Sequence, residues 1–130
     1  MYISEVIIMH ESGEMYLETI LVLSKKKNYV RSIDVCEEMG YSKPSVSRAV
    51  KLLRDEGHIN VNADGYITLT DSGYTIANRI FERHTLLTKL FMALGVDEET
   101  ASNDACKIEH SISDQTFDAI KNHFDMYGNK

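Results

Sequence analysis

Long apolar runs are missing from this 130-residue chain. No stretch approaches the roughly 20 consecutive hydrophobic residues that a membrane-spanning helix needs. Cysteine is scarce too. Cys36 and Cys106 lie far apart in unlike surroundings, which argues against a disulfide framework and for a reducing cytoplasm. The opening Met1-Tyr2-Ile3-Ser4-Glu5 lacks the basic stretch of a secretory signal, so a cytoplasmic location is expected. Internal repeats and low-complexity tracts are absent. An overall positive charge is also lacking: the net charge is −6, the wrong sign for a nucleic-acid binder. Its distribution matters more than its sum. From Ser24 to Gly57 eight Lys/Arg residues face five acids, and beyond that point the chain turns acidic. What is present in quantity is hydrophobic residue, 43%, enough to build one domain, or one small domain with a helical extension.

The pattern is mainly α with a small β-hairpin. Apolar spacing over Met15, Leu17, Ile20, Leu21 and Leu23 predicts an amphipathic helix from about Ser12, a candidate N-cap, to Ser24. A short second helix spans Arg31 to Met39 and closes at Gly40. Ser42 caps a third helix, and the single proline, Pro44, sits in its first turn, where a missing N–H costs nothing. Val46, Val50, Leu52 and Leu53 are expected to face inward, and Gly57 ends the helix. Ile59-Asn60-Val61 and Tyr66-Ile67-Thr68-Leu69 alternate around Asn62-Ala63-Asp64-Gly65, a hairpin signal. A long fourth helix follows from Thr70-Asp71-Ser72-Gly73 to about Leu94. Asp97 caps a fifth, through about Ser111, and Ser113 a sixth, to about Phe124. The tail from Met126 to Lys130 is expected to fray.

Helix, short helix, turn, helix, hairpin is the order of a winged helix-turn-helix. The outward face of the third helix offers Ser42, Lys43, Pro44, Ser45, Ser47, Arg48 and Lys51 to double-stranded DNA. Arg48 can fork onto a guanine, and Ser45 or Pro44 can meet a thymine methyl. Lys43, Lys51 and Arg54 suit phosphates. The acidic Asp64 at the hairpin tip argues against the wing as a phosphate contact.

A second constellation lies in Cys106-Lys107-Ile108-Glu109-His110. On a helix, positions i, i+3 and i+4 share a face, so a thiolate, a carboxylate and an imidazole project together as a transition-metal ligand set. His84 stands 11 residues before Gly95 and Cys106 stands 11 after it. In an antiparallel hairpin both lie about 16 Å from the turn and meet side by side. Met15 and Glu18 share a face of the first helix, but their spacing alone does not make them ligands. His10, His58 and His123 have no partner pattern and read as surface residues, and Cys36 reads as buried packing.

Taken together, Glu14-Met15-Tyr16-Leu17-Glu18-Thr19-Ile20, Ser42-Lys43-Pro44-Ser45-Val46-Ser47, Leu69-Thr70-Asp71-Ser72-Gly73, Arg83-His84 and Asn103 to His110 resemble the DtxR/MntR family of iron- or manganese-dependent transcriptional repressors. The resemblance runs from about Glu14 to Phe124. It implies a winged helix-turn-helix DNA-binding domain over residues 1–73 and a helical metal-binding and dimerisation domain over residues 74–130. The SH3-like domain of longer members has no counterpart in these residues. By the same resemblance Met15, Cys106, Glu109 and His110 match the activating ligands of the iron-type branch. Glu18 and His84 match positions used by the manganese-type branch. Thr88 and Ser102 stand where the iron type has ancillary ligands, so that ancillary site is not expected.

Thioether and thiolate donors disfavour Mn(II) relative to Fe(II), Co(II), Ni(II) or Zn(II). Fe(II) is the expected cofactor and Mn(II) the second choice, with Co(II), Ni(II) or Zn(II) able to substitute. Cys106 must lose its proton to bind, so affinity should rise with pH. The resulting expectation is a homodimeric repressor of a palindromic operator that controls metal homeostasis, with metal as co-repressor and no membrane partner. The alternatives are a metal-independent or small-ligand-sensing winged-helix regulator and a mononuclear metalloenzyme. The chain offers the latter neither a separate base nor a substrate pocket.

Overall fold

The computed structural model describes the backbone of residues 2–127 and the side chains of residues 11–126. The expectations for His10 and for the last tail residues, Gly128 to Lys130, fall outside the described residues. In chain order the elements are α1 (Tyr2–Lys26), α2 (Ser32–Met39), α3 (Lys43–Asp55), β1 (Ile59–Val61), β2 (Ile67–Leu69), α4 (Asp71–Ala93), α5 (Glu98–Ile108) and α6 (Asp114–Tyr127). They divide into two compact units, Met1–Arg79 and Ile80–Lys130, with the boundary inside α4.

In the first unit α1, α2 and α3 pack on one another, α3 supports β1 and α1 supports β2. Leu17, Ile20, Val35, Val46, Ile59 and Ile67 form its buried centre. Helix α1 begins at Tyr2, so Ser12 lies inside a helix rather than capping one. Ser12-Gly13 carries no proline and no left-handed turn, and nothing there forces a stop. Arg31 occupies the N-cap of α2, where its backbone N–H donates to Asp34 Oδ2 at 2.8 Å. Gly40 closes α2 with φ 70°, a left-handed cap. Ser42 Oγ accepts from Ser45 N at 3.3 Å and starts α3. Along α3 Val46, Val50 and Leu53 are buried, whereas Leu52 is 42% exposed, contrary to expectation. Positions 46, 50 and 53 follow the helical period; 52 falls a hundred degrees off that stripe.

The hairpin pairs Ile59 with Leu69, Asn60 with Thr68 and Val61 with Ile67, antiparallel. Asn62 Oδ1 organises its turn by accepting from Asp64 N at 3.0 Å and Tyr66 N at 2.9 Å. On the inner side Ile67 N donates to Val30 O at 2.7 Å, which ties the wing to the segment entering α2.

Helix α4 is seated on the hairpin by close backbone approach. Thr70 Oγ1 caps it by accepting from Gly73 N at 3.2 Å and donates to Gly57 O at 2.8 Å. A Cβ on Gly73 would stand 1.9 Å from the His58 carbonyl oxygen. Gly73→Ala is therefore expected to destabilise the first unit by about 1–3 kcal/mol, because backbone cannot yield as a side chain does. Gly13→Ala should do the opposite. Its Cβ would meet only Leu53 Cδ2 at 3.8 Å, in the interior of a helix. There alanine gains roughly 0.5–1 kcal/mol over glycine. Urea denaturation of both variants measures the contrast.

The second unit holds the rest of α4 with α5 and α6. Asp97 caps α5, accepting from Thr100 N at 3.0 Å, and Ser113 caps α6, accepting from Thr116 N at 3.1 Å. Helix α6 runs through Tyr127, past the expected end at Phe124. Ile80, Leu87, Ala101, Ala105 and Phe117 are buried, while Ile108 is exposed and Ile112 and Ile120 are half-buried. The apolar stripe of α5 and α6 thus splits into a core side and a partly open side.

Candidate metal centre and nucleic-acid interface

Helix α3 presents one polar face. Ser42, Lys43, Pro44, Ser47, Arg48 and Lys51 are exposed, Ser45 is half-buried, and Val46, Val50 and Leu53 turn the opposite way into the core. The Ser42 hydroxyl also bonds Ser45 Oγ at 2.9 Å, so both hydroxyls help shape the first turn. Beside the wing, Tyr29 and Tyr66 stack with centroids 4.4 Å apart, and the Arg31 guanidinium lies 4.7 Å over the Tyr66 ring.

In the second unit the sequence brings a carboxylate and two imidazoles together. Glu109 follows the last residue of α5, Ile108, as its C-cap, and keeps helical dihedrals (φ −60°, ψ −28°) with its N–H on Ala105 O. The helix ends earlier than Ser111, yet the i, i+3 relation of Cys106 and Glu109 persists. The Glu109 side chain is 0% exposed. Its Oε2 lies 2.8 Å from His84 Nδ1 on α4, and its Oε1 lies 3.3 Å from His110 Nε2. That second contact is within ion-pair range, but Oε1 has no hydrogen-bond partner among the described residues. His110 is 3% exposed on its side chain, and Cys106 is half-buried in the last turn of α5. Neither cysteine forms a disulfide, and Cys36 is buried.

Burial pushes the Glu109 carboxyl upward. The contacts of His110 and His84 together outweigh burial and hold it below the ordinary 4.5. Glu109 is thus a dry carboxylate kept ionised by two imidazoles, with an oxygen awaiting a donor or a cation. These are the donor types that a divalent transition metal takes. Met15 and Glu18, half-buried on α1, belong to the other unit.

Relatives and family models agree with this picture. Residues 9–66 match the model of the iron dependent repressor N-terminal DNA binding domain. Residues 70–127 match that of the iron dependent repressor metal binding and dimerisation domain. An uncharacterised HTH-type transcriptional regulator of Methanocaldococcus jannaschii is 32% identical over 125 residues, 94% of this chain and 99% of its own. The chain belongs to the DtxR/MntR family of metal-dependent transcriptional repressors. Members of this family are DNA-binding regulators rather than enzymes. The HTH-type regulator MntR of Bacillus subtilis is 34% identical over 109 residues, 84% of this chain and 77% of its own. A manganese-dependent transcriptional repressor solved with manganese superposes with a TM-score of 0.79 at 27% identity, over 87% of this chain. The chain spans 52% of that structure's length, about half. No helix among the described residues is long and apolar enough to cross a membrane.

Three residues around these sites were given no role of this kind from the sequence. His58 is not a bystander on the surface; its Nδ1 lies 3.0 Å from Ser72 Oγ and helps hold α4 to the hairpin. Ser102 Oγ lies 3.2 Å from His84 Nε2. Arg83 is 1% exposed, and its Nη1 donates to Glu109 O at 3.1 Å and to Ile112 O at 2.5 Å. Its signal was its position: an arginine between Ile80 and Leu87 on the core stripe of α4 must find buried acceptors.

Proposed function

We propose that this chain is a repressor whose grip on a palindromic operator is switched on by Fe(II) or Mn(II). The observation that carries the proposal is Glu109, a fully buried carboxylate flanked by His84 and His110 in the domain whose family model is metal-binding. In this reading His84, Cys106, Glu109 and His110 supply donors from the second domain, and Met15 and Glu18 supply the rest from α1. When bound, the cation supplies positive charge and a fixed coordination geometry. The chain's own residues do the remaining work. Cys106 gives up its proton, Glu109 stays ionised, and α1 is held at a fixed attitude to the second domain. In a two-fold dimer this sets the spacing of two α3 helices for half-sites about one helical turn apart, roughly 34 Å.

The α3 face would then read DNA, with Arg48, Ser45 and Pro44 toward base edges and Ser42, Ser47, Lys43 and Lys51 along phosphates. The sulfur donors support Fe(II), and the MntR relatives and the manganese-bound neighbour support Mn(II). Co(II), Ni(II) or Zn(II) would substitute in vitro. The protein would act in the cytoplasm on genes of metal homeostasis.

The test is fluorescence anisotropy on duplex DNA, anaerobically, with chelator and then with each cation. Operator affinity is expected to rise roughly 5- to 150-fold on metal addition, the range of ordinary allosteric coupling. Equal affinity with and without chelator would instead reveal a metal-independent regulator.

A further inference from the structure

His84 projects from α4 between Ser102 of α5 and Glu109, the α5 C-cap. Nδ1 faces Glu109 Oε2 at 2.8 Å, and Nε2 faces Ser102 Oγ at 3.2 Å. Ser102 in α5 and Glu109 at its C-cap stand seven positions apart, about two helical turns along one face, and bracket the ring from either side. An ionised carboxylate only accepts hydrogen bonds. Beside an ionised Glu109, Nδ1 is the donor, and the neutral ring then turns its Nε2 lone pair to the Ser102 hydroxyl. A cation shared by His84 and Glu109 needs the lone pair on the nitrogen that faces the carboxylate, which is Nδ1. The single ring hydrogen must then sit on Nε2, and the group beside Nε2 must accept where it formerly donated. A backbone carbonyl could serve only one of these states and an ammonium only the other. A hydroxyl serves both by rotating about its C–O bond. Thr88, one turn along α4, offers no substitute here, since its Oγ1 donates to His84 O at 2.7 Å.

We propose that Ser102 is the positioning residue of His84: its hydroxyl holds Nε2 in both tautomers and so commits Nδ1 to the cation shared with Glu109. The inference rests on the metal-binding function proposed above. It also gives a role to a position where the iron-type ligand set has no counterpart in this chain. The proton balance is closed. One hydrogen leaves Nδ1 and one arrives at Nε2 by exchange with water, so His84 stays neutral and releases no net proton.

The experiment uses the whole chain with Ser102→Ala and Ser102→Thr. Alanine is at home inside a helix, so the metal-free Ser102→Ala protein should melt with the wild type. Two readouts follow: Co(II) titration by d–d absorbance, and imidazole 15N spectra of the metal-free and Zn(II)-loaded proteins. Wild-type His84 should appear as one tautomer without metal and as the other with Zn(II). Ser102→Ala should weaken Co(II) binding about 10- to 100-fold, as loss of a ligand's outer partner does. It should also show mixed His84 tautomers, and Ser102→Thr should restore both properties. Two results would overturn the assignment: Ser102→Ala binding Co(II) as tightly as the wild type, or Ser102→Thr failing to restore what Ser102→Ala loses. A wild type that binds none of the cations removes the metal-binding function itself, and the assignment with it, so the two failures are distinct.

Discussion

Glu109→Gln is expected to leave the chain folded and to erase the response of DNA binding to metal. The side chain is 0% exposed, and one of its oxygens lies 2.8 Å from His84 and the other 3.3 Å from His110. Glutamine keeps the shape and one accepting oxygen, but it removes the negative charge that a buried divalent ion requires. The wild-type gain on metal addition, roughly 5- to 150-fold, should fall to none. Affinity in chelator should match the wild type, because the α3 face belongs to the other unit. Glu109→Ala should lose the response as well and should also be less stable, since it leaves His84 and His110 without their shared carboxylate. Anisotropy titrations with and without Fe(II) or Mn(II) measure the first effect and thermal melts the second. A Glu109→Gln protein that still tightens on its operator when metal is added would remove this carboxylate from the switch.

The parts of the fold that sequence reading located are those set by local rules. Ser42, Asp97 and Ser113 cap helices because a short side-chain oxygen reaches the N–H three residues on. Gly40 closes α2 because only glycine takes φ 70° without strain. The Asn62–Gly65 turn folds on its own hydrogen bonds. The run from Cys106 to His110 stood out as candidate donors for the same reason, since spacing on one helix decides which side chains share a face.

What escaped were pairings across long stretches of chain. His58 looked idle because Ser72 lies 14 residues away across a hairpin. Ser12 looked like a cap because its neighbours are polar, yet a helix continues through any residue that the preceding turn supports. Leu52 was assigned inward by its chemistry, and the helical period placed it outward. Ser102 gained meaning only once His84 was set beside it, 18 residues back along the chain. A hydroxyl has no signature in a single sequence, because its role belongs to whichever nitrogen it meets.

Arg83→Ala should cost the second unit more stability than any surface change there. The guanidinium is 1% exposed, forks onto the carbonyls of Glu109 and Ile112, pairs with Asp114 Oδ1, and lies 5.3 Å from the Phe117 ring centre. Two physical needs meet there. The last turn of a helix leaves carbonyls without intrahelical partners, and its negative end favours a cation. Arg83 supplies both donors and charge where α5 gives way to α6. Alanine would leave two carbonyl acceptors orphaned, about 1–3 kcal/mol each, and a void against Phe117, while the Asp114 carboxylate, 75% exposed, stays hydrated. Lysine should recover only part, because one ammonium cannot reproduce the planar fork. Lys121→Ala is the contrasting case: its pair with Glu82 is half exposed on both sides, where water and salt screen it, and its loss should barely move stability. Chemical denaturation of the metal-free proteins ranks the three. If Arg83→Ala unfolded with Lys121→Ala, the carbonyls of Glu109 and Ile112 would not depend on the guanidinium. If the large loss appears, it falls on the backbone that carries Glu109, and metal affinity should decline with it even though no donor atom was changed.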